Sequence, residues 1–139
     1  MQPFTDRAGF DAYFATLDGE RSVGLVATHG TAGSLVGVIT LSQIFRRNFQ
    51  NAYLGFYGLQ GQTGQGLMTE AVRLAVGYAF GELGLHRLEA NVQPDNVRSV
   101  ALVERVGFRK EGFSPEYLAI GGVWRDHERW AILVDEFSG

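Results

Sequence analysis

The chain has 139 residues, 45% of them apolar, and a formal net charge of -3. That size suits one domain with a core of its own, and the charge excludes the basic field that broad nucleic-acid or membrane-surface binding needs. There is no cysteine, hence no disulfide, thiolate zinc site or cysteine nucleophile, and no apolar run nears the roughly 20 residues of a membrane helix.

The opening segment MQPFTDRAGF has no basic stretch followed by an apolar one, so a soluble cytoplasmic protein is expected. Phe10, Tyr13, Phe14 and Leu17 stand at helical spacing and predict a short helix. Two β-rich runs follow, Ser22 to His29 and Ser34 to Leu41, with a Gly-Thr-Ala-Gly turn between them that predicts a hairpin. Asn51 to Leu59 is a third strand candidate. From Gly66 a second helix is predicted, with Leu67, Ala71, Leu74, Ala75 and Tyr78 on one face and an end between Gly81 and Gly84. His86 to Val92 alternates as a strand. An Asp-Asn pair then starts a helix carrying Val100, Val103 and Val106, which Gly107 ends. Phe108 to Ile120 and Val123 to Val134 flank Gly121-Gly122 and read as a closing hairpin. No linker or composition shift divides this order. It predicts one α/β domain over residues 1–139, built on a mixed sheet.

Between the third strand and the second helix runs QGQTGQG, Gln60 to Gly66. A strand, a bare loop and a helix start is the arrangement that holds phosphate groups: glycine lets the backbone approach, and the free N–H groups of the first turn point at the anion. The donors here would come from Gly64, Gln65, Gly66, Leu67, Met68 and Thr69. A Walker loop needs Gly-Lys-Ser/Thr, and the segment has no lysine. A dinucleotide fingerprint needs a βαβ unit, whereas the strands ahead of this loop read as an antiparallel meander. The same glycines also fit a plain tight turn, and spacing alone does not choose between the two.

The stretch QTGQGLMTEAV resembles the coenzyme-binding motif of the GNAT superfamily of N-acetyltransferases. HRLEANVQPDNVRSVALVERVGFRKEG is similar to the family's next motif, and EYLAIGGVWRDHERWAIL to the ribosomal-protein-alanine (Rim-type) members. Together these blocks cover roughly residues 22 to 135. Thr63 stands where the family has Arg or Gln, with Gln62 beside it, and Met68 stands at the final small position. The donors there are backbone groups, so side-chain variation is tolerable. The resemblance implies a mostly antiparallel mixed sheet with a splayed strand pair, flanked by helices. It implies acetyl-CoA as cosubstrate and direct transfer of its acetyl group to a primary amine. The acceptor would be a protein N-terminal alanine or serine, or a small amine. Relatives have a further strand and helix ahead of the part that matches, which predicts a sheet short of an edge strand and a monomer or homodimer.

The family pattern places the pantetheine arm along the end of the third strand, at Tyr57, Gly58 and Leu59. Asn96 aligns with a coenzyme-contacting asparagine, although an asparagine just before a helix is by its position a cap. Ser99 aligns with a proton donor to the leaving thiolate, although a serine at a helix start is by default a capping or solvated residue. Glu116 falls near the acid proposed as general base. The competing reading is a surface strand residue, and burial near Phe113 and Tyr117 is what would raise its pKa usefully. Tyr117 is a second candidate base, or a core residue. His29, His86 and His127 lack metal spacing, so no metal is expected. The run from Trp124 to Trp130 is expected to pack and pair within the last hairpin. Two other classes remain open: an acyl-CoA-binding domain without turnover, and an interaction domain with no ligand.

Overall fold

A computed structural model of the chain describes residues 3–5, 10–16, 21–29, 34–58 and 66–138. In chain order the elements are β1 (Pro3–Thr5), β2 (Phe10–Thr16), β3 (Val23–His29), β4 (Ser34–Phe45), β5 (Asn51–Gly58), α1 (Leu67–Gly81), β6 (Arg87–Val92), α2 (Val97–Val106), β7 (Arg109–Ile120) and β8 (Val123–Leu133). The strands form one sheet in the order β1-β2-β3-β4-β5-β6-β8-β7. Neighbours among the described residues are antiparallel except β5 and β6, which run parallel. None of the described helices is long and apolar enough to cross a membrane.

Two expectations are corrected at the N-terminal end. The segment from Phe10 is a strand, paired with β3 from Phe10↔His29 to Thr16↔Val23. A helix of eight residues is below the length that sustains itself, while aromatic residues and threonine suit a pleated surface and the open edge of β3 offers a full row of backbone partners. Among the described residues the sheet is therefore not short of an edge strand, since β2 covers β3 and β1 continues beyond. The Gly-Thr-Ala-Gly turn lies outside the described residues. The second strand of that hairpin is longer than expected, because β4 runs on past Leu41 to Phe45 through an irregularity between Ser42 and Phe45.

The core lies between one face of the sheet and the two helices. Met68, Ala71, Val72, Ala75, Val76 and Ala79 of α1 are buried against Val36, Ile39, Leu41, Ala52 and Leu54 from β4 and β5. The helix buries a stripe at i, i+3, i+4 and i+7 that keeps Ala71, Ala75 and Tyr78 of the expected face, while Leu67 and Leu74 are only half-buried at its margin. Leu102, Val103 and Val106 of α2 join the same core, and Gly107, at φ +117, ends the helix by donating its N–H to the carbonyls of Val103 and Glu104. On the opposite face charged side chains form a chain of ion pairs. Arg87 binds the Oδ1 of Asn51 at 2.9 Å and pairs with Glu89 and Glu111. Arg109 bridges Glu111 and Glu136 at 2.8 Å each.

β5 and β6 are registered only at Asn51↔Arg87, Ala52↔Leu88 and Tyr53↔Glu89. Beyond Tyr53 the two strands part, as the resemblance implied. This opening positions everything that follows.

Candidate functional site

A cleft of about 570 Å³ lies on the helix side of the sheet, where the end of β5 faces the starts of α1 and α2. Phe56, Tyr57 and Gly58 form its strand wall. Tyr57 is 60% exposed at the mouth. Beyond Tyr53, β5 has no partner on its β6 side, so this stretch can receive an extended ligand as a strand would. Leu59, Gly64 and Gln65 lie outside the described residues.

The start of α1 closes one end. Gly66 caps the helix in the left-handed region, at φ +70, and its carbonyl accepts from the N–H of Glu70 at 3.2 Å. A Cβ here would meet nothing within 4 Å, so the glycine is required by backbone conformation and not by crowding. Among the described residues no side chain caps this end. The first-turn N–H groups are the ones a helix cannot satisfy by itself, and Gly66, Met68 and Thr69 face the cleft. Met68 is 5% exposed and reaches down to Gly37, where a Cβ would sit 2.5 Å from its Sδ. Leu67 packs its side chain against the core, so only its backbone is available to a ligand.

α2 supplies the other wall, and Asn96 and Ser99 both line it. The Asn96 side chain is also the N-cap, accepting from the Ser99 N–H at 3.3 Å. The capping and cleft readings of Asn96 thus hold together. Four residues beyond the expected set join them: Arg98, Ala101, Leu102 and Arg105. Their spacing is i, i+3, i+4 and i+7, so they form one helical stripe beside the apolar one at Val100, Val103 and Val106. That stripe is legible in the sequence once the helix is given. Among the described residues neither arginine has an ion-pair partner. The cleft therefore combines uncapped helix amides, two free cations and an apolar lining, and this donor set fits a diphosphate bearing an extended, partly apolar arm.

The candidate bases lie elsewhere. Glu116 is exposed, outside the cleft lining, and sits within an irregularity between Ser114 and Leu118. Its φ is +45, and its N–H donates to the Oδ1 of Asp126 at 2.9 Å. Of the two readings of Glu116, the exposed strand residue is the one found. Tyr117 is half-buried and stands edge-on to the buried His127, with ring centroids 6.2 Å apart. Burial pushes the Tyr53 phenol above its ordinary value, the charge of Glu89 and the neighbouring Tyr117 add to this, and Arg87 opposes it. Tyr117 thus lies within electrostatic reach of Tyr53, the last residue of β5 paired with β6. The run from Trp124 packs only in part: His127 and Trp130 are buried, whereas Trp124 is 61% exposed. Among the described residues no group of three His, Asp or Glu side chains could hold a metal ion.

The family model for the acetyltransferase (GNAT) domain matches residues 2–109. A probable N-acetyltransferase YjcK from Bacillus subtilis (strain 168) is 48% identical over 99 residues, 71% of this chain and 55% of that protein. The [ribosomal protein uS5]-alanine N-acetyltransferase of Escherichia coli (strain K12) is 39% identical over 104 residues, 75% of this chain and 54% of that one. The chain thus spans about half the length of the curated relatives it matches. Among solved structures, Mycobacterium smegmatis RimJ in complex with CoA-disulfide superposes with a TM-score of 0.80 at 34% identity, covering 86% of this chain and 56% of that one. With the splayed strands, the cleft and these matches in agreement, the chain belongs to the GNAT acetyltransferase family.

Proposed function

We propose that the chain transfers an acetyl group from acetyl-CoA to a primary amine, with the N-terminal alanine or serine of a protein as the leading acceptor. The observation that carries this is the cleft itself: an uncapped helix start, two unpaired arginines and an open strand edge in one place. When bound, acetyl-CoA supplies the activated acyl group as a thioester. Everything else falls to the protein. The N–H groups at Gly66 to Thr69 hold the diphosphate, with Arg98 and Arg105 adding charge. The β6-side edge of Tyr57 and Gly58 aligns the arm, and Phe56, Ala101 and Leu102 keep water from it. Ser99, which lines the α2 wall, gives a proton to the leaving sulfur. Two groups on β7 are candidates to take the ammonium proton, Glu116 and Tyr117, and Tyr117 is the one near the strand opening.

The exposure of Glu116 favours one second reading, a domain that binds acyl-CoA without turnover. Thiol release from acetyl-CoA in the presence of an alanine- or serine-starting peptide separates the two. The transfer reading expects release, slowed by Ser99→Ala and by Tyr117→Phe or Glu116→Gln, whichever removes the base. Acetyl-CoA that raises the melting temperature while no amine releases thiol leaves the binding-domain reading. A melting temperature unmoved by millimolar coenzyme sinks both.

A further inference from the structure

The sheet face away from the helices carries two polar groups the cleft does not use. Along β6, Leu88, Ala90 and Val92 point into the core, so Asn91 lies on the opposite face with Arg87 and Glu89. Asn91 is two residues past the last β5–β6 pair, Tyr53↔Glu89, and so lies beside the opening between the strands. Its Oδ1 is buried and, among the described residues, has no hydrogen-bond partner. Directly opposite on β8 is Arg129. The Nε of this half-buried residue donates to the Ser114 Oγ at 3.0 Å, yet among the described residues it has no carboxylate partner, unlike Arg87 and Arg109 on the neighbouring strands. Its guanidinium lies over Gly112, where a Cβ would come within 3.0 Å of Cζ. Glycine at that position makes the room.

An orphaned buried acceptor beside a half-buried unpaired cation is an arrangement that a ligand completes. The ligand must donate to Asn91 and accept from Arg129. A lone ammonium does the first, but the guanidinium repels it. An amine with a carbonyl or carboxylate oxygen beside it does both, and groups directly opposite on paired strands are spaced for two such neighbouring atoms. Building on the transfer reading above, we infer that Asn91 and Arg129 form the acceptor subsite, Asn91 accepting from the amine and Arg129 holding the adjacent carbonyl or carboxylate. The subsite selects α-amines of peptides or amino acids over polyamines.

The test measures acceptor binding directly, so that it does not depend on turnover. Calorimetry with CoA-saturated protein compares an alanine-starting peptide with spermidine, for the parent and for Arg129→Met, Asn91→Leu and Gly112→Ala. Gly112→Ala keeps both side chains and displaces only the guanidinium. The parent is expected to bind the peptide and to prefer it to spermidine. Arg129→Met and Gly112→Ala are each expected to weaken the peptide at least tenfold and leave CoA affinity unchanged. Where thiol is released, the peptide KM rises in the same proportion while kcat holds. Peptide affinity equal in parent and variants, spermidine bound better than peptide, or no peptide binding by the parent overturns the subsite. Absence of thiol release with every amine overturns acetyl transfer instead, and the calorimetry still decides the subsite.

Discussion

Replacing Gly37 by alanine tests how the cleft is built. Gly37 is registered with Gly58 beneath the first turn of α1. A Cβ there would stand 2.5 Å from the Sδ of Met68, 2.6 Å from the carbonyl oxygen of Tyr57 and 3.2 Å from the Cα of Gly58. The thioether can swing aside, since methionine is unbranched and adaptable. The Tyr57 carbonyl is backbone of the cleft wall and cannot move without the strand. Overpacking of this kind costs about 1–3 kcal/mol. For a chain of this size each kcal/mol shifts the melting temperature by roughly 3–6 °C, so a fall of about 3–18 °C is expected. Tyr57, Gly58 and Met68 all line the cleft, so the rise in melting temperature with acetyl-CoA should shrink in the same variant. Calorimetric melting with and without coenzyme measures both effects. Gly77→Ala is the control. Its Cβ would meet the Phe137 ring at 3.7 Å, an ordinary contact within a helix, and removing a helical glycine should stabilise by roughly 0.5–1 kcal/mol. A Gly37→Ala protein that melts with the parent and keeps its full coenzyme response would refute this account of the wall.

Three further outcomes follow from the same geometry. Arg98→Gln and Arg105→Gln should each weaken CoA binding by about 1 kcal/mol, several-fold, with the loss fading at high salt, and titrations at two ionic strengths check it. Asn96→Ala should cost about 1 kcal/mol of stability through the lost cap, measurable by urea unfolding. Stability should also fall in acid. Burial pushes the Glu111 carboxyl up, but the hydrogen bond from Arg109 and the charge of Arg87 outweigh it and hold the group below the ordinary 4.5. The Arg109 hydrogen bond and the N–H of Leu133 depress Glu136 likewise. Carboxyls that titrate lower when folded stabilise the protein above about 4.5, and this contribution is lost as pH falls through their folded values. Arg109→Met should flatten that acid limb in a pH series of urea midpoints.

Much of this was legible in the chain because it depends on local pattern. Gly66 at a helix start, the alternation from Arg87 to Val92, the cap at Asn96 and the stop at Gly107 follow from backbone sterics and periodicity within a few residues. The end of the cleft at the start of α1 sits at such local features, so its motif is contiguous. Phe10 to Leu17 failed the same test, since spacing at 10, 13, 14 and 17 satisfies a helix only until a neighbouring strand edge competes for the backbone. The sequence did not choose between a buried and a surface Glu116 for a related reason: its exposure is set by an irregularity in the pairing of β7 with β8, and pairing register is not written in either strand alone.

The amino-acid order by itself determined where helices begin and end, which faces are apolar and where bare amides are offered to an anion, because these are short-range properties. Only the tertiary structure decided that β5 parts from β6 after Tyr53, that Arg98 and Arg105 turn toward the cleft, and that Asn91 faces Arg129, which among the described residues has no carboxylate partner, across two strands. Each depends on residues far apart in the chain being held side by side, and burial, pairing and charge compensation have values only once that packing exists.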